Sequence, residues 1–90
     1  ALDQIPPHLS ESDGVYVLDN EPRNAQIVRY NERLIELGKS VCIWPNDIKQ
    51  KDINDLITSG FTSSQIKNII DENTVTGLEA NLRLTHWRKV

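Results

Sequence analysis

The sequence predicts an α/β fold: a strand–helix–strand unit with parallel strands, followed by a helical C-terminal part. Three observations carry this. Val15-Tyr16-Val17-Leu18 and Ser40-Val41-Cys42-Ile43-Trp44 are short apolar runs of the kind found in strands buried on both faces. Between them, Ile27, Tyr30, Leu34 and Leu37 recur at steps of three and four, with Val28 and Ile35 beside them, while Arg29, Glu32, Arg33 and Glu36 take much of the other face. A strand, an amphipathic helix and a second strand form a crossover unit, which is nearly always right-handed and sets its strands parallel.

Taken in order, residues 1–13 read as an irregular lead-in, because Pro6-Pro7 forbids regular helix and Ser10, Ser12, Asp13 and Gly14 favour turns. The helix is expected from about Pro22, tolerated in a first turn, to Leu37, with Gly38 as the left-handed residue that ends it. Pro45 closes the second strand, since it cannot donate to a sheet ladder, and a polar loop runs to about Lys51. The rest reads as helical. Ile53, Leu56 and Ile57 form one short face stopped at Gly60, and Thr62-Ser63-Ser64-Gln65 and Thr76-Gly77-Leu78-Glu79 both have capping-box spacing. We expect one domain: 1–13 the lead-in, 14–51 the βαβ region and 52–90 the helical part. Two parallel strands do not stand alone, so the Val15 strand should pair with a further strand, supplied by an earlier segment of a longer protein or by another chain.

The bulk numbers bound the possibilities. Ninety residues, 38% hydrophobic and 26% charged, suit one small globular unit. With Ala1 first and no methionine, the chain reads as an excised or processed piece. The net charge of −3 lacks the basic surplus common in nucleic-acid binders, although the last seven residues hold His86, Arg88 and Lys89 and no carboxylate. The lone Cys42, in an apolar run, forms no internal disulfide and reads as an inert core thiol in a reducing, cytoplasmic compartment. No Cys/His spacing suits zinc, and neither a membrane span nor a signal peptide is visible.

The most informative stretch is Asp19-Asn20-Glu21, two carboxylates at the carboxyl end of the first strand. In extended chain, residues two apart point to the same side. At ~6 Å and an effective dielectric of ~20 their repulsion is on the order of 3 kcal/mol, which a divalent cation removes. Mg²⁺ takes a few carboxylates, waters and phosphate oxygens, and the carboxyl end of an open sheet is where α/β folds bind ligands. Asp52, after the second strand, is expected at the same edge. The bland reading is that Asp19, Asn20 and Glu21 cap the helix and that Asp52 and Asp55 start the next one. Lys51 and Arg23 are candidate phosphate contacts, and Asn54 could orient Asp52 or its loop; Arg23 could equally pair with Glu21 or face solvent. Arg83, His86, Trp87, Arg88 and Lys89 could meet nucleic-acid phosphates, with Trp87 stacked on a base, or serve as a basic helix end with Trp87 packed inside. His8 and His86 have no partners at catalytic spacing.

Leu18-Asp19-Asn20-Glu21-Pro22-Arg23-Asn24, Ile43-Trp44-Pro45-Asn46-Asp47, Lys51-Asp52-Ile53-Asn54, Gly77-Leu78-Glu79-Ala80 and Thr85-His86-Trp87-Arg88-Lys89-Val90 together resemble a known family over most of residues 14–90. They look like the C-terminal half of a Toprim domain, the metal-binding α/β domain of primases and topoisomerases, in its T-even-like phage primase form. The resemblance implies a DNA primase, a nucleotidyltransferase making short RNA primers on single-stranded DNA from ribonucleoside triphosphates. It also implies Mg²⁺ or Mn²⁺ held by Asp19, Glu21 and Asp52 as metal-binding catalytic residues, phosphate or nucleic-acid contact by Lys51, Arg23, Arg88 and Lys89, a replicative helicase as partner, and the host-cell cytoplasm as location. Two departures stand out: Glu21 occupies a place where the family usually has Asp, and the family's first motif, Glu-Gly after an earlier strand, is absent, since Glu11 precedes no glycine. The 90 residues alone are therefore expected to bind metal weakly and to make no primers. The competing readings are a non-catalytic module that docks a helicase or DNA, and a receiver-like phosphoacceptor. The latter needs five strands and a lysine after a late strand, which Lys51 beside Asp52 does not supply.

Overall fold

The structure is a computed structural model that describes residues 10–12 and 14–90, with side chains described from residue 14 onward. Its elements are β1 (Ser10–Ser12), β2 (Val15–Val17), α1 (Ala25–Glu36), β3 (Ser40–Cys42), α2 (Ile53–Thr58), α3 (Ser63–Glu72), β4 (Thr74–Val75) and α4 (Gly77–Trp87). The Pro6-Pro7 reading lies outside the described residues.

β2, α1 and β3 form the expected crossover, with Val15 opposite Ser40 and Tyr16 opposite Val41 in a parallel pair. The sheet around them is mixed, in the order β1-β2-β3-β4. β1 folds back antiparallel onto β2 through Gly14 at φ 79°, and β4 lies antiparallel on β3. This corrects three expectations. The part of the lead-in at residues 10–12 is a strand; the open edge of β2 is covered by that strand of the same chain; and the C-terminal part is not wholly helical, since Thr74-Val75 crosses to the sheet between α3 and α4. Two-residue strands have too short an alternation to stand out in a sequence. β4 exists because β3 offers it a partner: Ile43 donates its N–H to the Asn73 carbonyl at 3.1 Å.

Both faces of the sheet are covered, as the apolar runs imply. Leu18, Val41, Ile43 and Val75 face Ile27, Val28, Leu34 and Ile35 of α1 and Ala80, Leu84 and Trp87 of α4. Val17, Cys42 and Trp44 face the other way, toward Ile48, Leu56 of α2 and Ile66 of α3. Alternation along β3 and its extension, from Val41 to Trp44, sends successive side chains to opposite cores. At roughly 25 cal/mol per Å² of apolar surface removed from water, these two cores are the main stabilising term.

Helix boundaries follow local chemistry. α1 begins after Asn24, whose side chain accepts from the N–H groups of Gln26 and Ile27 at 3.0 and 3.4 Å. It does not begin at Pro22, because Asn24 is the stronger cap. It ends in a Schellman turn, with Gly38 at φ 78° donating to the Ile35 carbonyl and Lys39 to the Leu34 carbonyl. Leu37, assigned above to the apolar face, sits at that turn and is exposed. α3 carries the full capping box: Thr62 Oγ1 accepts from the Gln65 N–H at 3.1 Å, and Gln65 Oε1 accepts from the Thr62 N–H at 2.8 Å. The same spacing at Thr76 forms no side-chain cap; that chain leaves β4 and enters α4 through Gly77 at φ 56°. Thr62→Ala should therefore cost about 1 kcal/mol in urea denaturation, and Thr76→Ala only a few tenths.

Candidate metal centre

Parallel pairing puts the carboxyl ends of β2 and β3 at one edge of the sheet, and the loops beyond them meet there. The Trp44 indole N–H donates to the Leu18 carbonyl at 2.8 Å, tying the two ends together. Beyond Leu18 the chain turns sharply rather than continuing extended. Glu21 donates its N–H to the Asp19 carbonyl at 2.9 Å, closing a three-residue turn centred on Asn20. The two carboxylates thus come together through a turn, and not through the i, i+2 register of a strand.

Asn20 anchors this turn. Its Nδ2 donates to the carbonyls of Ile48 and Gln50 at 2.9 and 3.0 Å, its backbone N–H to the Lys51 carbonyl, and its Oδ1 accepts from the Trp87 indole at 3.1 Å. The loop that carries Lys51 and Asp52 is thereby fixed to the residue between Asp19 and Glu21. Asp19 and Asp52 line one cavity of about 180 Å³ with Trp44, Ile53 and Asn54.

The electrostatics follow. Partial burial raises the Asp19 carboxyl above its ordinary value of 3.8. A hydrogen bond with the Glu21 side chain, the Glu21 charge and the Asp52 charge raise it further, while Lys51 pulls the other way. Side by side, the two carboxyls concentrate negative charge at the turn, which favours a nearby cation. Neither Asp19 nor Glu21 caps α1, because Asn24 does so; Glu21 instead accepts weakly from Asn24 Nδ2 at 3.5 Å. Asp52, by contrast, does cap α2, accepting from the Asp55 N–H at 2.8 Å, and Asp55 accepts from the Lys51 N–H at 3.3 Å. Asp52 keeps its second oxygen without a bond among the described residues. Asn54 lines the cavity but makes no hydrogen bond to Asp52. As the side chains lie, no group of three or more His, Cys, Asp or Glu among the described residues is placed to hold a metal ion. The donor set is a carboxylate pair with Asp52 nearby, which matches the few carboxylates Mg²⁺ takes when waters and phosphates complete its shell.

The cations divide. Lys51 and Arg23 are exposed, Lys51 close enough to act on Asp19. Lys89 donates its backbone N–H to the Pro22 carbonyl at 2.7 Å and lines an open cavity with Glu21, Pro22, Arg23 and Asn24. Arg88 is committed to Glu32 at 3.3 Å and to the Val90 carbonyl at 2.8 Å. Arg83 donates to Asn73 Oδ1 at 2.9 Å. Trp87 is 7% exposed, so it packs in the core and offers no face for a base. His86 is exposed in the last turn of α4, and His8 lies outside the described residues. No helix among the described residues is long and apolar enough to cross a membrane. Sequence reasoning missed Asn20 and Trp87 as parts of this site. Their partners lie 28, 30 and 67 residues apart, beyond any short-range pattern.

The chain is similar to a DNA primase of Enterobacteria phage T4, with 37% identity over 78 residues, or 84% of this chain. It spans 23% of the length of that curated relative. No protein-family model matches the chain.

Because folding raises the Asp19 value, the folded chain binds this proton more tightly than the unfolded chain does. The cost of ionising it is absent below the ordinary 3.8, grows as the pH climbs through the raised folded value and is constant above that. Asp19→Asn should therefore melt above the unsubstituted chain at pH 7, with the gap closing as the pH falls below 3.8. Cys42 is buried, and burial pushes its thiol up to about 12; a thiol reagent at pH 8 should label it only as fast as the chain unfolds.

Proposed function

We propose that these residues are the metal-binding part of a primase catalytic site, in which Asp19 and Glu21 would hold one Mg²⁺ or Mn²⁺ with Asp52 as a supporting carboxylate. The observation that carries this is the Asp19–Glu21 pair itself: two carboxyls brought together by the turn at Asn20, beside Asp52 and Lys51. The likeness to a phage primase supports primer synthesis as the reaction; the Toprim-type setting rests on the sequence resemblance alone. Single-stranded DNA, ribonucleoside triphosphates and a replicative helicase follow as partners of the whole protein.

In that reaction a 3'-hydroxyl attacks an α-phosphate in line and pyrophosphate leaves. A bound divalent cation lowers the pKa of the hydroxyl and offsets charge on the phosphates. This chain's residues orient and neutralise. Asp19 and Glu21 would hold the cation at the sheet edge. Lys51, on the Asp52 side, and Arg23 and Lys89, on the Glu21 side, flank it with exposed positive charge suited to phosphate oxygens. Arg88, paired with Glu32, is not assigned such a contact.

Titration calorimetry with MnCl₂ tests the reading. One Mn²⁺ should bind weakly, and more weakly as the pH falls and the carboxyls take up protons. Asp19→Asn with Glu21→Gln should abolish binding, and Asp52→Asn should weaken it by roughly 10-fold, as loss of an outer-shell partner does. Unchanged binding in the double variant would refute the assignment. The 90 residues alone should yield no dinucleotide from ribonucleoside triphosphates and a single-stranded template, because the Glu-Gly motif of the resembled family is not among them.

A further inference from the structure

We propose that Asn20 is a positioning residue for the Asp19–Glu21 pair and that Trp87, in the last turn of α4, completes the clamp that holds it. The inference rests on the carboxylate pair being the cation site.

The side chain of Asn20 is used almost to saturation. A carboxamide has two N–H donors and one carbonyl acceptor; here both donors reach carbonyls of the loop leading to Asp52, and the acceptor takes the Trp87 indole N–H. The backbone N–H of the same residue reaches the Lys51 carbonyl. One half-buried side chain thus sets three things together: the turn that brings Asp19 and Glu21 side by side, the distance from that turn to Asp52, and the seat of the C-terminal segment. A second tether, Lys89 N–H to the Pro22 carbonyl, fastens the chain just beyond Glu21.

The residue type is demanded by the partners. Aspartate at this position would lose both donors and place a charge against two carbonyls, leucine would leave all of these groups unpaired, and glutamine is too long for the turn. Trp87 is likewise more than filler. Its ring is in the core with Leu84 and Ala80, while its only polar atom leaves the core to meet Asn20. The metal-binding turn therefore depends on residues 87–89 at the far end of the chain, although none of these residues need touch the cation.

Asn20→Ala and Trp87→Phe test this in the 90-residue chain, with melting curves to establish that each folds. Trp87→Phe keeps most of the packing and removes the donor. Each should weaken Mn²⁺ binding by roughly 10-fold or more, and the double variant should be no worse than Asn20→Ala, because both act through one clamp. Each should also speed amide hydrogen exchange at Asn20 and Glu21 without any cation present. Folded variants that bind Mn²⁺ as the unsubstituted chain does would overturn the inference, leaving Asn20 and Trp87 as packing alone. If the unsubstituted chain binds no Mn²⁺, the cation-site reading fails, and the clamp is judged by exchange: faster Asn20 exchange in Trp87→Phe upholds it, unchanged exchange overturns it. Should both variants unfold, the unsubstituted chain decides, since a Trp87 indole N–H held by Asn20 exchanges slowly and a free one exchanges fast.

Discussion

Parallel pairing of β2 with β3 is the constraint from which the rest of this molecule follows. Because α1 returns the chain to the starting end of the sheet, both strands run the same way and both finish at the same edge. Asp19-Asn20-Glu21 and Lys51-Asp52 are thereby delivered to one place, although 29 residues separate them. An antiparallel pair would have put them at opposite ends. The pair is only two residues deep, so it is braced from outside by β1 and β4 on its edges and by a core on each face.

That bracing allows the edge to carry groups that oppose folding. Partial burial of Asp19, with the Glu21 and Asp52 carboxyls close by, disfavours its charged form in the folded state. Neither carboxylate caps α1, since Asn24 does so, and Asn20 anchors the loop. Carboxyls whose charged form is disfavoured, next to an opening and flanked by exposed cations, are the basis on which the cation site is proposed.

Much of the plan is legible in the sequence because it depends on local pattern. The crossover unit, the left-handed end of α1 at Gly38, the Thr62–Gln65 box and the burial of Cys42 are each written in a few neighbouring residues. What escaped depends on distant partners. β4 is too short to have a pattern and exists only as an edge to β3. β1 lies among residues whose turn chemistry outweighs their strand preference. Pro22 suggested a helix start, but the Asn24 side chain wins two residues later. In the site, Asp19, Glu21 and Asp52 were legible as acids at strand ends, whereas the turn at Asn20 was not, because its bonds reach Ile48, Gln50 and Trp87 across the fold. Trp87 could be read either as a stacking platform or as core, and its burial decides for the core.

The central claim is that the carboxyl groups of residues 19 and 21, with residue 52 beside them, form one cation site at the shared end of β2 and β3. The most direct measurement is Mn²⁺-induced paramagnetic broadening across the amide spectrum of the ¹⁵N-labelled chain at substoichiometric metal. The account predicts losses centred on residues 18–22 and 51–54, with the distant amides of α3 untouched. Broadening spread evenly over the acidic surface, or centred instead on Asp71 and Glu72, would contradict it.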